Sequence, residues 1–217
     1  MLYQRSNAEE VGHPIAAIRA IRTEFQGSDI KGCFFHFTQA IWRKTQELGL
    51  AVGYRDNPLV EQWIRRAAAL PLLPLQQVQD AWFDSMNQSP DVPNADEFND
   101  YIVTNWVDYE ARFPPSLWNH HQTFGPRTNN NLEGFHSRLN ASLNHRHPNL
   151  YIEIIKKIVK SEKTKLSQLD LGAAPPARKR VYKEIDNRLS RLKDQLSQGV
   201  KTPLQFLDAV GKLLKMD

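Results

Sequence analysis

The sequence predicts a mainly α-helical fold with one or two short strands. Apolar residues recur at intervals of three and four through most of the 217 residues, which is the spacing of one helix face. Proline and glycine separate these periodic segments, as expected where helices start and stop. One short run, Asp29–Phe37, instead combines a β-branched residue with several aromatics behind a turn-prone Gly-Ser-Asp. We therefore expect many helices and a strand at Asp29–Phe37.

The first half of the chain predicts helices in close succession. Ala16–Gly27 contains good helix formers and ends at a glycine, and Thr38–Leu50 returns to helical spacing after the strand. Residues 57–112 predict an all-helical block with helices beginning near Pro58, Leu75 and Ala95. The block ends before a Pro-Pro pair that cannot continue a helix.

The second half predicts longer helices separated by breaks. A helix in Arg127–Asn140 is followed by a basic amphipathic helix over Leu150–Asp170. The segment Gly172–Lys179 is rich in proline and alanine and is the clearest linker. Beyond it, a helical hairpin is expected, with Gly199 as helix stop and Thr202-Pro203 as helix start.

Charge is distributed unevenly along the chain. The net charge is +4, but residues 145–217 contain 16 Lys+Arg against 8 Asp+Glu. Residues 54–110 contain 3 basic and 10 acidic residues. A basic tail behind an acidic middle indicates that any contact with nucleic acid uses the tail. A solvated helical face with surplus lysine is the alternative explanation.

Composition excludes several classes of protein. Hydrophobic content of 41% with 24% charged residues is typical of a globular chain. A single cysteine excludes an internal disulfide and favours a reducing compartment. No run approaches the roughly 20 apolar residues that cross a bilayer, and no signal peptide is recognisable, so a membrane partner is not expected.

The segment Arg127–Asn140 places a carboxylate at the head of a helix. Its apolar face consists of Leu132, Phe135, Leu139 and Leu143. In a structural role, Asn130 and Glu133 form a capping box, and the carboxylate also complements the helix dipole. In a functional role, Glu133 binds a divalent metal. Spacing alone favours the cap.

Cys33 and His36 form a C-x2-H pair. They could supply half of a zinc site, but two further ligands would have to come from histidines elsewhere. A buried cysteine beside a hydrogen-bonded histidine is the more common arrangement. No Ser/Cys–His–Asp triad is recognisable. The tryptophans lie among helical apolar positions and are expected in the core, although Trp118 lies in a loop and could stack on a base.

Three segments together resemble one protein family. "IKGCFFHFTQAIWRKTQELGL", "FPPSLWN" and "RTNNNLEGFHSRLN" are similar to the C-terminal half of a Mutator-like element (MULE) transposase domain. The C-x2-H pair and the T-N-N-x-x-E-G helix occur in the same order in that family. The resemblance extends from Ala16 through the basic tail.

The resemblance implies the C-terminal part of an RNase H-like α/β core that carries a helical insertion and a helical tail. Residues 1–49 would be the core remnant, residues 50–115 the insertion, residues 116–169 the catalytic-glutamate and basic helices, and residues 170–217 a terminal hairpin. In the family, two aspartates and one glutamate hold two Mg²⁺ or Mn²⁺ ions that cleave and join DNA at transposon ends.

Glu133 matches the catalytic, metal-binding glutamate of the family, and the resemblance implies a nuclear protein. The remaining residues expected near that active site are Cys33, His36, Trp118, Asn129, Asn130 and His136. Lys156, Lys157 and Lys160 are the expected DNA contacts, and a homo-oligomer is a further expectation.

The sequence departs from the family where the first aspartate belongs. Ahead of a segment like Ala16–Arg22, family members carry a D-F-E-like triplet, but this chain has Gly12-His13-Pro14. We therefore expect a transposase fragment that lacks two metal ligands and does not cut DNA by itself. The alternative is a domesticated, non-catalytic helical module that binds DNA or a protein.

Overall fold

The computed structural model describes residues 12–27, 29–123, 127–128, 137, 155–170, 172, 180–214 and 216. The first helices are α1 Gly12–Glu24, α2 Phe34–Glu47, α3 Ala51–Asp56, α4 Pro58–Ala69, α5 Val78–Met86, α6 Ala95–Ile102 and α7 Pro115–Trp118. After these come α8 Ile155–Asp170, α9 Arg180–Ser197 and α10 Pro203–Gly211. Short 3₁₀ turns cover Leu70–Leu72 and Leu75–Gln77, and a π-helical turn covers Val103–Val107. The mainly α class is confirmed.

The strand predicted at Asp29–Phe37 is wrong. Residues 29–33 have no regular secondary structure, Phe34 begins α2, and the described ranges contain no strand. Phe34, Phe37 and Ile41 share one helical face that packs into the core, and Phe37 and Ile41 are buried. Tertiary packing therefore outweighs the β propensity of the aromatics. No sheet of an RNase H-like core occurs in this part of the chain, and that finer assignment stays a prediction.

The helix boundaries follow local chemistry. Asn57 caps α4 by accepting a hydrogen bond from the Leu59 N–H at 2.9 Å, and Pro58 occupies the first turn. Thr202 and Gln205 form a complete capping box at the start of α10. Gly199 has φ +71° between α9 and α10, a conformation that glycine adopts without strain. The helical block and the terminal hairpin are confirmed.

The core is centred on α4, with α2, α3, α5 and α10 packed against it. Its largest fully buried side chains are Trp63, Trp82, Phe98 and Phe206. Helix α10 lies so close to α4 that a Cβ at Gly211 would be 2.9 Å from the Arg65 Cβ. The terminal hairpin and the predicted insertion therefore share one hydrophobic core, while the proposed division of the chain into four segments stays a prediction.

Two consecutive arginines of α4 attach α10. Arg65 Nη1 donates to the carbonyl oxygens of Gly211 and Leu214, both at 2.8 Å, and so satisfies the last turn of α10. Arg66, which is 6% exposed, binds both carboxylate oxygens of Asp208 at 2.6 and 3.1 Å. The end of the chain is thus fixed to the centre of the core by charged hydrogen bonds.

Candidate functional site

Segments that are distant in sequence but share the family resemblance meet beside α2. The Gly32 N–H donates to the Leu117 carbonyl at 2.7 Å, and the Phe34 N–H donates to the Arg127 carbonyl at 2.9 Å. Helix α9 lies on the same side and contributes Asp186 and Lys193. We call the group formed by Lys31, His120, His121, Arg127, Asp186 and Lys193 the basic seam.

Cys33 and His36 lie at the start of α2. Cys33 is the residue preceding the helix and His36 is in its first turn, and both are half-buried. The His36 ring contacts the Phe35 ring edge-on at 5.6 Å between centroids. Within the described ranges, no three His, Cys, Asp or Glu side chains are grouped closely enough to hold a metal ion. Because Glu133 and His136 lie outside the described residues, a metal-binding role for the C-x2-H pair stays a prediction.

Trp118 is a core residue in this structure. It is 2% exposed, and its ring stacks on Phe37 at 4.8 Å between centroids. Its Nε1–H is shared between the carbonyl oxygens of Trp106 and Phe113, at 3.1 and 2.9 Å. With its ring buried and its only donor satisfied, Trp118 is not available to stack on a nucleic-acid base.

Several residues expected at the site lie outside the described residues: Asn129, Asn130, Glu133 and His136. The choice between a cap and a metal ligand for Glu133 therefore stays open. Lys156, Lys157 and Lys160 all belong to α8, and Lys160 is exposed. Helix α8 contains five lysines, against Glu162 and Asp170.

Two consecutive histidines of the basic seam, His120 and His121, are hydrogen-bonded to backbone carbonyl oxygens. The Gly32 carbonyl can only accept, so His120 Nε2 carries the proton and donates to it at 2.8 Å. His120 Nδ1 then accepts from the Thr123 hydroxyl at 3.1 Å. His121 Nδ1–H donates to the Leu72 carbonyl at 2.8 Å. Through these hydrogen bonds, the histidines attach their own loop to the segment before α2 and to the 3₁₀ turn after α4.

Both histidines are held in the neutral form. Burial is the main cause that lowers the pKa of His120, against the opposing hydrogen bond to Gly32, and the charges of Arg127, Lys31 and Lys193 lower it further. Burial likewise lowers the pKa of His121, with a smaller contribution from Lys193. Burial, assisted by the neighbouring cations, therefore disfavours protonation of both histidines.

Arg127 and Lys193 are neighbouring cations of the basic seam. Arg127 Nη1 donates to Asp186 Oδ1 at 3.2 Å, and Lys193 Nζ donates to the His121 carbonyl. Burial first, and then the charge of Arg127, lowers the pKa of Lys193 from 10.5 to about 8, although Asp186 opposes the change. A lysine in this environment interacts strongly with any anion that approaches it.

Sequence reasoning missed this cluster. In the sequence, His120 and His121 are two of the histidines outside the C-x2-H pair, and Arg127 is only the start of a predicted helix. A usable signal exists for Lys193. It shares a helical face with Leu189 and Leu196, which are 3% and 7% exposed, so it is a lysine at a core-facing position of an amphipathic helix.

Comparison with protein-family models, with curated proteins and with solved structures finds no match to this chain. The MULE resemblance consequently remains a proposal. Among the described helices, none is long and apolar enough to cross a membrane.

Proposed function

We propose that this chain is part of a MULE-type transposase that binds DNA through the basic seam and α8, and that it does not cleave DNA by itself. The observation that carries the proposal is the seam. Segments that carry the family resemblance meet there, and three cations, Lys31, Arg127 and Lys193, surround the same loop. A nuclear location and a role at transposon ends follow from the same resemblance.

The charge distribution favours one orientation on DNA. The phosphate backbone attracts lysine and arginine and repels carboxylates, so the acidic residues 54–110 would face away from the duplex. Helix α8 would face towards it, because its lysines outnumber its carboxylates. Contacts of this kind position a protein on DNA and give little sequence preference.

Catalysis by this chain alone is not expected. Two-metal cleavage needs several hard oxygen ligands, and of the family's three carboxylates only Glu133 has a counterpart in this sequence. Mg²⁺ or Mn²⁺ would be used by the intact family enzyme. DNA affinity of this chain should therefore persist in a metal chelator.

Binding is tested by titrating a fluorescent duplex in EDTA at several salt concentrations. The affinity should fall with salt, and the triple variant K156Q/K157Q/K160Q should reduce the slope of log K against log salt by about 2–3. The matched control is R19Q/R43Q/R55Q, which removes the same charge from exposed positions outside the basic tail. A parent chain without affinity at about 50 mM salt would refute DNA binding.

Whether this chain cleaves DNA is tested by incubating supercoiled plasmid with Mn²⁺ and either the parent or the E133Q variant, and measuring nicking. We expect no nicking by either. Nicking by the parent alone would show that other carboxylates, such as Glu9 and Glu10, complete a metal site, and the non-catalytic part of the proposal would be wrong.

A second candidate function is a protein-binding module. Helix α8 exposes Ile155, Val159 and Leu166 by 48%, 45% and 56%. Such residues on a basic helix suit an acidic amphipathic partner or a second copy of the chain. Absence of DNA affinity together with a concentration-dependent mass in sedimentation would favour this alternative.

A further inference from the structure

The basic seam contains more fixed positive charge than its carboxylates neutralise. Arg127 and Lys193 share one nearby carboxylate among the described residues, Asp186. Lys31 Nζ donates to the Ser116 carbonyl at 3.0 Å, and its contact with the carboxylate of the exposed Asp29 is long, at 3.9 Å. His120 and His121 add no negative charge, being neutral imidazoles. Partly buried cations without matching anions are unfavourable, and a bound anion would relieve this cost.

The hydrogen-bond donors of the same two cations are only partly used. Arg127 makes a single contact to Asp186, at 3.2 Å, and no described residue accepts from its Nε–H, which is buried. Lys193 has three N–H donors and uses one on the His121 carbonyl. The side chains of Arg127 and Asp186 are 18% and 28% exposed, so the pair is partly accessible to solvent. An anion entering there would find both charge and donors.

We propose that Arg127 and Lys193 form a phosphate-binding site, which takes one backbone phosphate of a nucleic acid. A guanidinium and an ammonium group are the standard protein donors to phosphate, and its several oxygens can accept from both at once. Asp186 competes with the phosphate for Arg127, because it already accepts a hydrogen bond from that guanidinium. The inference rests on the proposed DNA-binding function and assigns it a specific anchor outside α8.

Inorganic phosphate is the first probe, because it shares the chemistry of the backbone without the duplex. At constant ionic strength, phosphate should raise the melting temperature of the parent more than chloride does. R127Q and K193M should each weaken the apparent phosphate affinity by about tenfold, the effect of losing a charged hydrogen bond. The control K183M removes an exposed lysine from the same helix and should behave like the parent.

The D186N variant distinguishes a real binding site from an effect of misfolding. Removing the competing carboxylate should tighten phosphate binding, a gain that damage to the fold does not produce. Equal stabilisation of the parent and of all variants by phosphate would identify an adventitious ion only and would overturn the site. Unchanged or weaker binding in D186N would also overturn it.

Duplex titrations separate the inference from the proposed function. R127Q and K193M should lower duplex affinity, with the salt slope reduced by about 1 for each variant. If K156Q/K157Q/K160Q loses affinity while R127Q and K193M keep it, the anchor is wrong and the DNA-binding function stands. If the parent binds phosphate but no duplex, the site serves free phosphate, and both the nucleic-acid assignment and the proposed function fail.

Discussion

Two arginine–aspartate pairs in this protein consist of the same residue types and differ in geometry. Arg66 binds both oxygens of Asp208 at 2.6 and 3.1 Å and also donates to Gln88 Oε1 at 3.0 Å. Arg127 reaches one oxygen of Asp186 at 3.2 Å, and its Nε has no acceptor among the described residues. The first pair is closed, whereas the second retains donors.

The difference shows how the same chemistry serves two purposes. At the Arg66 pair, the guanidinium donates to Asp208 and Gln88 inside the protein, and the result is a fixed junction between α4 and α10. At the Arg127 pair, neighbouring lysine and neutral histidines leave an excess of positive charge. Stability therefore resides in the first region, and the proposed binding of phosphate in the second.

The largest effect is expected from breaking the closed pair. R66M should lower the free energy of unfolding by about 3 kcal/mol, because it leaves the Asp208 carboxylate partly buried without its guanidinium partner. Urea denaturation measures this value. R180M, which removes an arginine with a side chain 91% exposed, is the control and should have no measurable effect. A loss no greater than the control would show that the junction is not structural.

The next effect tests the close contact between α4 and α10. G211A should destabilise the fold by about 1–3 kcal/mol, since the new Cβ would overlap the Arg65 Cβ and crowd the Arg65 carbonyl. These atoms would be 2.9 and 3.3 Å from the added carbon. Chemical denaturation again gives the value. The control is S197A, in the exposed last turn of α9. A glycine such as Gly49 is not used, because its φ of +72° would strain an alanine there.

Acidification should weaken the fold through the seam. His120 and His121 have a pKa lowered in the folded chain, so below pH 6.5 the unfolded chain binds more protons than the folded one. Their contribution is therefore present above pH 6.5 and is lost as pH falls through the lower folded pKa values. Urea midpoints between pH 7 and pH 5 measure the loss, which H120N/H121N should reduce. An identical pH profile in that variant would contradict the assignment.

The smallest effect on stability is expected at the open pair. R127M should change the free energy of unfolding by less than about 1 kcal/mol, since one long contact at a partly exposed site contributes little and the loss of repulsion with Lys193 offsets it. The measurement is the same urea titration used for R66M. A loss as large as that of R66M would remove the distinction between the two pairs.

Local features of the fold could be predicted from the sequence. Asn57-Pro58 and the Thr202–Gln205 capping box act within a few residues, and the helices that they start were predicted correctly. The strand at Asp29–Phe37 failed because the aromatics there pack against side chains far along the chain, including Trp106 and Trp118. Short-range propensity does not contain that information.

The candidate site was less accessible to prediction, because its residues come from distant segments. His120 meets Gly32 across 88 positions, and Lys193 meets His121 across 72. The sequence indicates only that Lys193 lies on the same face of α9 as the core residues Leu189 and Leu196. The residues selected from the family resemblance lie partly outside the described residues, so their roles stay predictions.

Hydrogen exchange followed by mass spectrometry, with and without a short DNA duplex in EDTA, tests the central claim most directly. The duplex should slow exchange in Leu117–Thr123, in α8 and in α9 near Lys193, and should leave α4, α10 and residues 80–110 unchanged. Protection that appears on the acidic residues 80–110, or a bound duplex that protects neither the seam nor α8, would contradict it.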